Sequence, residues 1–132
     1  MKLTRKADFA IRLLIHLASD SKESTSRALA KTLNIPFNHL AKIVHELSRH
    51  GFIITKKGKG GGLKLAKNPA SINVYEVVSA IEGPVVISDC ILSRETCKFS
   101  KSCNFRKCLS GLKEKLEKLL ITTKISDLAE CK

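Results

Sequence analysis

Four cysteines in the last third of the sequence are the residues best suited to carry chemistry. All five cysteines of the 132-residue chain lie in that third, and four fall within 19 residues: Cys90, Cys97, Cys103 and Cys108. The N-terminal residues lack the apolar stretch and cleavage site of a signal peptide, so we expect a cytoplasmic protein whose thiols stay reduced. An odd number of thiols in that compartment favours metal binding or redox chemistry over a disulfide framework.

The spacing of these thiols favours a site larger than a single ion. Zinc sites typically use pairs of cysteines separated by two residues, and no such pair occurs here. Widely spaced thiolates in a loop can instead surround an iron–sulfur cluster. Because neither ferredoxin spacing is matched, the pattern alone leaves a zinc site and a thiol–disulfide switch open. Cys131, one residue from the end of the sequence, is expected to take no part.

The segments before these cysteines predict a helix-turn-helix. Apolar residues recur at helical spacing over residues 4–19. Ser26 is expected to cap a short helix over residues 27–33, and a longer helix follows over residues 36–50 before Gly51 ends it. A short and a longer helix separated by a tight turn are typical of DNA-binding proteins.

A hairpin rich in glycine and lysine is predicted after the second helix. Residues 52–55 and 63–66 are short strand candidates, and the sequence between them has the composition of a flexible basic tip. This arrangement looks like the wing of a winged helix. The glycine run is not a phosphate-binding P-loop, because the Gly-Lys-Ser/Thr sequence and the following helix are missing.

The distribution of charge indicates duplex DNA as the partner. Residues 1–70 carry 14 Lys/Arg against four Asp/Glu, whereas residues 71–132 carry 10 against eight. A basic half is typical of proteins that bind nucleic acid, and the absence of interleaved aromatic residues argues against single-stranded partners. We expect the second helix to enter the major groove and the wing lysines to contact phosphates. The candidate DNA-binding residues are Asn38, His39, Lys42, Arg49, Lys56, Lys57 and Lys59.

Beyond the hairpin the sequence predicts a short helix, a cysteine loop (residues 85–104) and a long helix. Leucines in the last segment recur every three or four residues, which is typical of a dimerisation helix or of a helix packed on its own domain. The predicted fold is mainly α with a small β-hairpin. Residues 1–83 form a winged helix-turn-helix DNA-binding region, and residues 84–132 form the cysteine loop and the dimerisation helix. No nucleophile–base arrangement is visible, so we expect no enzyme.

The order of these motifs resembles that of the Rrf-type winged-helix regulators, and the resemblance covers nearly the whole chain. The residues that carry it are Leu3-Thr4 with Asp8, Lys57-Gly58 and Gly61-Gly62 in the wing, Val77 with Ala80-Ile81-Glu82-Gly83-Pro84, and the three cysteines of the loop. The resemblance implies a homodimeric transcription factor that binds double-stranded operator DNA. It also implies that the long helix lies between the subunits and that each loop holds an iron–sulfur cluster.

The same resemblance implies a ligand set. In IscR-like members a histidine three residues after the third cysteine helps to hold a 2Fe–2S cluster, and Arg106 occupies that position here. In NsrR-like members an aspartate of the partner subunit completes a 4Fe–4S site, and Asp8 lies at the matching position. A 4Fe–4S cluster is therefore favoured, with a 2Fe–2S cluster as the alternative, and the expected ligands are Cys90, Cys97, Cys103 and the partner subunit's Asp8. Cys108 is the alternative fourth ligand, and Asp8 could instead pair with Arg12 one turn later.

Together with the resemblance, these features predict a DNA-binding transcriptional repressor whose operator affinity is controlled by its cluster. The resemblance to NsrR-like members implies nitric oxide as the signal. The alternatives are a cluster-biogenesis, iron-sensing or redox-sensing regulator of the same family, and a regulator whose cysteines bind zinc or act as a thiol switch. An iron–sulfur electron carrier is a further alternative, although it leaves the recognition helix and the basic wing unexplained. No apolar run approaches the length of a membrane span, so no membrane partner is expected.

Overall fold

A computed structural model describes residues 2–19, 24–57, 61–93, 97–99 and 101–129 of the chain. Helices dominate these ranges, as predicted, and the strands form an antiparallel hairpin. In chain order the elements are α1 (Arg5–Ser19), α2 (Ser26–Leu33), α3 (Phe37–Arg49), β1 (Ile53–Thr55), β2 (Leu63–Leu65), α4 (Val74–Glu82), α5 (Asp89–Leu92), α6 (Asn104–Thr122) and α7 (Ile125–Ala129). None of the described helices is long and apolar enough to cross a membrane.

The turn between α2 and α3 is built by capping residues. Thr25, and not the predicted Ser26, caps α2, because its hydroxyl accepts a hydrogen bond from the Ala28 N–H at 3.2 Å. Asn34 ends α2 in the left-handed conformation with φ of 55°, a backbone region that asparagine tolerates. Pro36 stands immediately before α3. These residues produce the tight turn of the predicted helix-turn-helix.

The core is a single cluster of apolar side chains centred on α1. That helix buries one face and packs against α3, α4 and α7. Ile125 of α7 is fully buried in the same cluster as residues of α3 and α4, so side chains on both sides of the predicted boundary at residue 83 share this core. The buried residues of the cluster are Ala10, Leu13, Leu14, Leu17, Leu29, Ala30, Ile35, Leu40, Ile43, Val44, Leu47, Phe52, Ile53, Leu63, Ile72, Val74, Val77, Val78 and Ile125.

The predicted hairpin is present, and the start of β2 is bonded to the chain just before α2. Ile53 pairs with Leu65 and Thr55 with Leu63 in antiparallel register. The N–H of Leu63 also donates to the carbonyl oxygen of Ser24 at 2.8 Å. The wing therefore leaves the core at a defined position. Residues 58–60, which include the predicted DNA contact Lys59, lie outside the described residues.

Two short α-helices of the described chain were not predicted, and neither was a single 3-10 turn at Pro69–Ser71. The cysteine loop contains α5, which is only four residues long and too short to show a helical period. After α6, the chain turns at Thr123 and forms α7, and the Lys124 N–H donates to the Asp127 carboxylate at 2.9 Å. Backbone hydrogen bonds between residues 72–74 and 123–125 hold this turn against α4. The C-terminal end of the described chain is thereby anchored in the core.

We expect Gly62→Ala to lower the free energy of unfolding by about 1–3 kcal/mol, because overpacking a fixed contact has a cost of that size. A Cβ at Gly62 would lie 2.7 Å from the Ser24 carbonyl oxygen, and backbone atoms cannot move away easily. Lys64→Ala, on an exposed position of β2, is the matched control and should change stability by less than about 0.5 kcal/mol. Urea denaturation without DNA measures both, and equal stability of the two variants would contradict the close packing of the wing.

Candidate DNA interface and candidate metal centre

The second helix of the helix-turn-helix presents a polar face to solvent. Its inner face is buried, which fixes how the helix is rotated relative to the core. The predicted base-reading residues Asn38, His39 and Lys42 are all exposed, and so is Arg49 at the end of the helix. Asn, His and Lys side chains offer the donors and acceptors that read base edges in a major groove. The structure therefore brings the predicted α3 residues together on one accessible surface.

Neighbouring helices hold α3 in place by polar contacts as well as by the core. Lys6 of α1 forms an ion pair with Glu46 of α3. The guanidinium of Arg27, in α2, lies 4.8 Å from the centre of the Phe37 ring at the start of α3, within the range of a cation–π contact. These contacts orient both ends of the exposed helix.

A basic groove between α1 and α3 extends the predicted surface. Its volume is about 380 Å³, and its charged walls include Arg5, Lys6 and Lys42 with His39. Arg5 was not among the candidate DNA-binding residues. The only sequence signal for Arg5 is its charge in the basic half, since nothing in the sequence shows that the start of α1 reaches α3.

The wing lysines follow β1 directly. Lys56 and Lys57 are exposed, and the backbone N–H of Lys56 donates to the Gly62 carbonyl oxygen at 2.9 Å. The backbone of Lys56 is thus held by the hairpin, and both side chains lie at the surface. Positive charges placed beside a recognition helix are suited to phosphate contacts.

The cysteines of the loop occupy three different local structures. Cys90 lies in α5, Cys97 in the irregular chain that follows, and Cys103 at the N-cap of α6, and all three are partly buried. Cys108, one turn into α6, is exposed. No disulfide joins these four residues, which are the cysteines within the described chain. Cys131 lies outside the described residues.

Arg106 connects the segments that carry Cys90 and Cys103. Its side-chain Nε donates to the carbonyl oxygen of Cys90 at 3.0 Å, and its backbone N–H donates to the sulfur of Cys103 at 3.4 Å. The hydroxyl of Ser88 lies 3.3 Å from the sulfur of Cys90. In the sequence, Arg106 is notable only because it occupies the position of the histidine ligand of IscR-like members. No sequence signal predicts that it bridges the two cysteine segments.

The cysteine loop carries thiols that suit an iron–sulfur cluster, but the described residues of one subunit do not form a complete ligand set. Reduced, partly buried thiols with an N–H donor near a sulfur are the environment in which such clusters are held. Within the described residues of the single chain, however, no three histidine, cysteine, aspartate or glutamate side chains come together as a metal site. Asp8 instead pairs with Arg12, with 3.1 Å between carboxylate oxygen and Nε.

The position of Cys108 on α6 separates it from the other thiols. Successive residues of an α-helix are rotated by about 100°, so Cys108 lies about 200° around the axis from Arg106. Arg106 faces α5, because it contacts the carbonyl oxygen of Cys90. Cys108 is therefore on the side of α6 that faces away from α5.

Comparison with known proteins agrees with this architecture. A family profile described as "Rrf2: Iron-dependent Transcriptional regulator" matches residues 3–131. The HTH-type transcriptional regulator NsrR of Shouchella clausii is 39% identical over 110 residues, which cover 80% of this chain and 73% of that protein. The HTH-type transcriptional regulator NsrR of Bacillus subtilis is 34% identical over 113 residues, covering 83% of this chain and 77% of that protein.

Solved structures share the fold at lower sequence identity. CymR, the global cysteine regulator of B. subtilis, superposes with a TM-score of 0.82 and 22% identity, covering 100% of this chain and 98% of that chain. T. potens IscR superposes with a TM-score of 0.79 and 16% identity, covering 100% and 89% of the two chains. Since the family profile spans nearly the whole sequence and the NsrR relatives exceed 30% identity, the chain belongs to the Rrf2 family of transcriptional regulators and is not an enzyme.

Proposed function

We propose that this regulator is a homodimeric, cytoplasmic repressor whose affinity for operator DNA is set by an iron–sulfur cluster that reacts with nitric oxide. Cys90, Cys97 and Cys103 would hold the cluster, and the partner subunit's Asp8 would be the fourth ligand. A 4Fe–4S cluster is favoured. When bound, the cluster supplies a reactive iron centre whose loss or modification changes the protein around it.

The observation that carries the proposal is the outward face of α3 beside the basic wing. Exposed Asn38, His39 and Lys42 are held on a helix whose opposite face is buried, so they can be presented to a major groove without local unfolding. Lys56 and Lys57 follow in the wing, directly after β1, and would serve as phosphate contacts. We assign residues 1–83 to DNA binding and residues 84–132 to the cluster and the dimer.

The start of α1 supports a connection between the cluster and the DNA surface. The backbone N–H of Thr4 donates to the Glu82 carboxylate at 2.8 Å, and its hydroxyl bonds to the same oxygen. Lys6, two residues later, pairs with Glu46 of α3. Glu82 ends α4, immediately before the cysteine loop. A change in that loop can therefore reach α3 through the first turns of α1, which also carry Asp8.

The long helix supports a homodimer. None of the 19 residues of α6 is buried, although leucines form its apolar stripe. Leu112 and Leu116 line an apolar groove of about 590 Å³ together with the chain between α4 and α5. Because an apolar stripe of this length is stabilised by burial, we assign the exposed side of α6 to the contact with a second copy.

The choice of Asp8 as the fourth ligand explains how a signal could act. Asp8 is 43% exposed beside Arg12, so its carboxylate is accessible to another subunit. A carboxylate is a harder ligand than a thiolate and is displaced from iron more easily. Loss of a ligand that crosses the dimer would disturb the cluster and the arrangement of the two DNA-binding surfaces together. Nitric oxide as the signal follows from the resemblance to NsrR-like members.

Replacing Lys56, Lys57 and Lys59 by alanine should weaken binding to specific and non-specific DNA alike. Each phosphate contact removed should flatten the log–log dependence of affinity on salt by about 0.9, because fewer counterions are released. Fluorescence anisotropy over a salt series measures this slope. The matched control removes the same charge from exposed lysines outside the DNA-binding region and away from the leucine stripe of α6, namely Lys98, Lys101 and Lys107. An unchanged slope in the wing variant would contradict the phosphate contacts.

Alanine at Asn38, His39 or Lys42 should lower affinity by roughly 1–3 kcal/mol for each side chain that reads a base. The effect should be confined to particular operator positions, since removing a side chain that reads one base relaxes the preference at that base only. Binding to a panel of single-base operator variants tests this. Equal weakening on every operator variant would mean that these residues only position the protein.

Serine at Cys90, Cys97 or Cys103 should abolish stable iron binding, because each removes one thiolate ligand. Asp8→Ala should leave a more labile cluster and altered operator affinity, whereas Cys108→Ser should behave like the wild type. Anaerobic absorbance with iron and sulfide quantification, before and after nitric oxide, measures all five variants. A bleached Cys108→Ser variant beside an unaffected Asp8→Ala variant would contradict the carboxylate ligand. Colourless wild-type protein containing zinc would contradict the cluster.

A further inference from the structure

Within the proposed metal centre, the structure assigns a positioning role to Arg106: we propose that it clamps the segments of Cys90 and Cys103 together before any metal is bound. The clamp makes these two thiols a preformed half-site, which Cys97 and the fourth ligand then complete. This inference rests on the proposed function for the identity of the bound group. The clamp itself belongs to the metal-free protein.

Arg106 makes hydrogen bonds to two segments that are separated along the chain, those of Cys90 and Cys103. One residue supplies both bonds: the Nε donates to the Cys90 carbonyl oxygen at 3.0 Å, and the backbone N–H donates to the Cys103 sulfur at 3.4 Å. Cys90 is in α5, and Cys103 caps α6, thirteen residues later. The side chain of Arg106 is partly buried, so its bond to the carbonyl oxygen is partly shielded from water.

Neither bond competes with metal binding. The carbonyl oxygen of Cys90 is a backbone group and leaves the sulfur of that residue available. The sulfur of Cys103 accepts an N–H bond and still has lone pairs for a metal, as N–H donors to ligand sulfurs do in iron–sulfur proteins. Arg106 can therefore keep both contacts in the metal-free and the metal-bound protein.

Arginine suits this task better than other residues. Its Nε–H lies in a rigid plane and points at the carbonyl oxygen, whereas a lysine ammonium at the end of a flexible chain cannot reproduce that direction. The loop also needs such a restraint, because α5 has only four residues and none of them is buried. Without the clamp, metal binding itself must offset the entropy lost when the two thiols are brought together.

The test compares Arg106→Gln and Arg106→Lys with the wild type, all as full-length metal-free protein. Lys107→Gln removes an adjacent exposed charge and is the matched control. Amide hydrogen exchange of residues 89–92 should be about tenfold faster in both Arg106 variants, while exchange in α1 to α4 stays unchanged. A hydrogen bond from a charged group is worth about that factor. Lys107→Gln should match the wild type.

The same four proteins are then titrated anaerobically with Co²⁺, whose thiolate charge-transfer absorption reports binding to the cysteines. We expect both Arg106 variants to bind Co²⁺ about tenfold more weakly than the wild type and Lys107→Gln to bind equally well. This second measurement separates a positioning role from a purely structural one, because a structural contact alone would change exchange and leave Co²⁺ affinity intact.

Three results would overturn the clamp: wild-type exchange in Arg106→Gln, faster exchange with unchanged Co²⁺ affinity, or wild-type behaviour of Arg106→Lys, which would mean that charge alone matters. The expected exchange and Co²⁺ results would support the clamp even if the reconstituted wild type held zinc in place of iron and sulfide. That outcome would contradict the proposed function alone.

Discussion

Burial of α1 between other helices is the constraint on which the rest of the structure depends. Its inner residues, including Leu13 and Leu14, are fully buried against α3, α4 and α7. Each such leucine contributes roughly 1.5–3 kcal/mol of apolar burial. Because α1 touches elements from both ends of the chain, its packing fixes the position of the helix-turn-helix relative to α4 and α7. The cysteine loop starts from that fixed frame.

This packing places the polar residues at the start of α1 within reach of both α3 and α4. The ion pair between Lys6 and Glu46 joins α1 to α3, and the hydrogen bond between Thr4 and Glu82 joins the start of α1 to the last turn of α4. These side chains are partly exposed, and contacts of that kind add little to stability. Their importance is geometric, since they link the surface of α3 to the segment that leads into the cysteines. A regulator benefits from links that are specific in direction and weak enough to rearrange.

The cysteine loop is stabilised in a different way from the core. None of its described residues is buried. Large apolar residues remain at the surface of the loop and of the first turn of α6, with Leu92 at 62%, Phe99 at 72% and Phe105 at 68% exposure. Exposed apolar residues grouped along one segment are typical of a surface that is covered in an assembly. Hydrogen bonds, those of Arg106 among them, therefore carry more of the local order here than packing does. Segments of this type have low local stability and are suited to respond to a bound group.

The sequence by itself determined the elements whose signals are local. The helix-turn-helix, the hairpin and α6 follow from apolar period, glycine positions and leucine spacing, and the structure confirms each of them. The motif order also led to the regulator family, which the comparisons confirm. The sequence also singles out Cys90, Cys97 and Cys103, because clustered thiols in a reducing compartment are typical of metal or redox sites. Their role as ligands stays a prediction.

Only the tertiary structure decided which distant residues meet. Three features join residues that are far apart in the sequence. They are the groove between Arg5 and Lys42, the hydrogen bond between Thr4 and Glu82, and the bridge from Arg106 to Cys90. No local pattern encodes such pairs, because they depend on how whole helices pack. The short α5 and α7 were missed for a related reason: a helix of four or five residues is too short to show a period and is stabilised by the contacts it makes after folding.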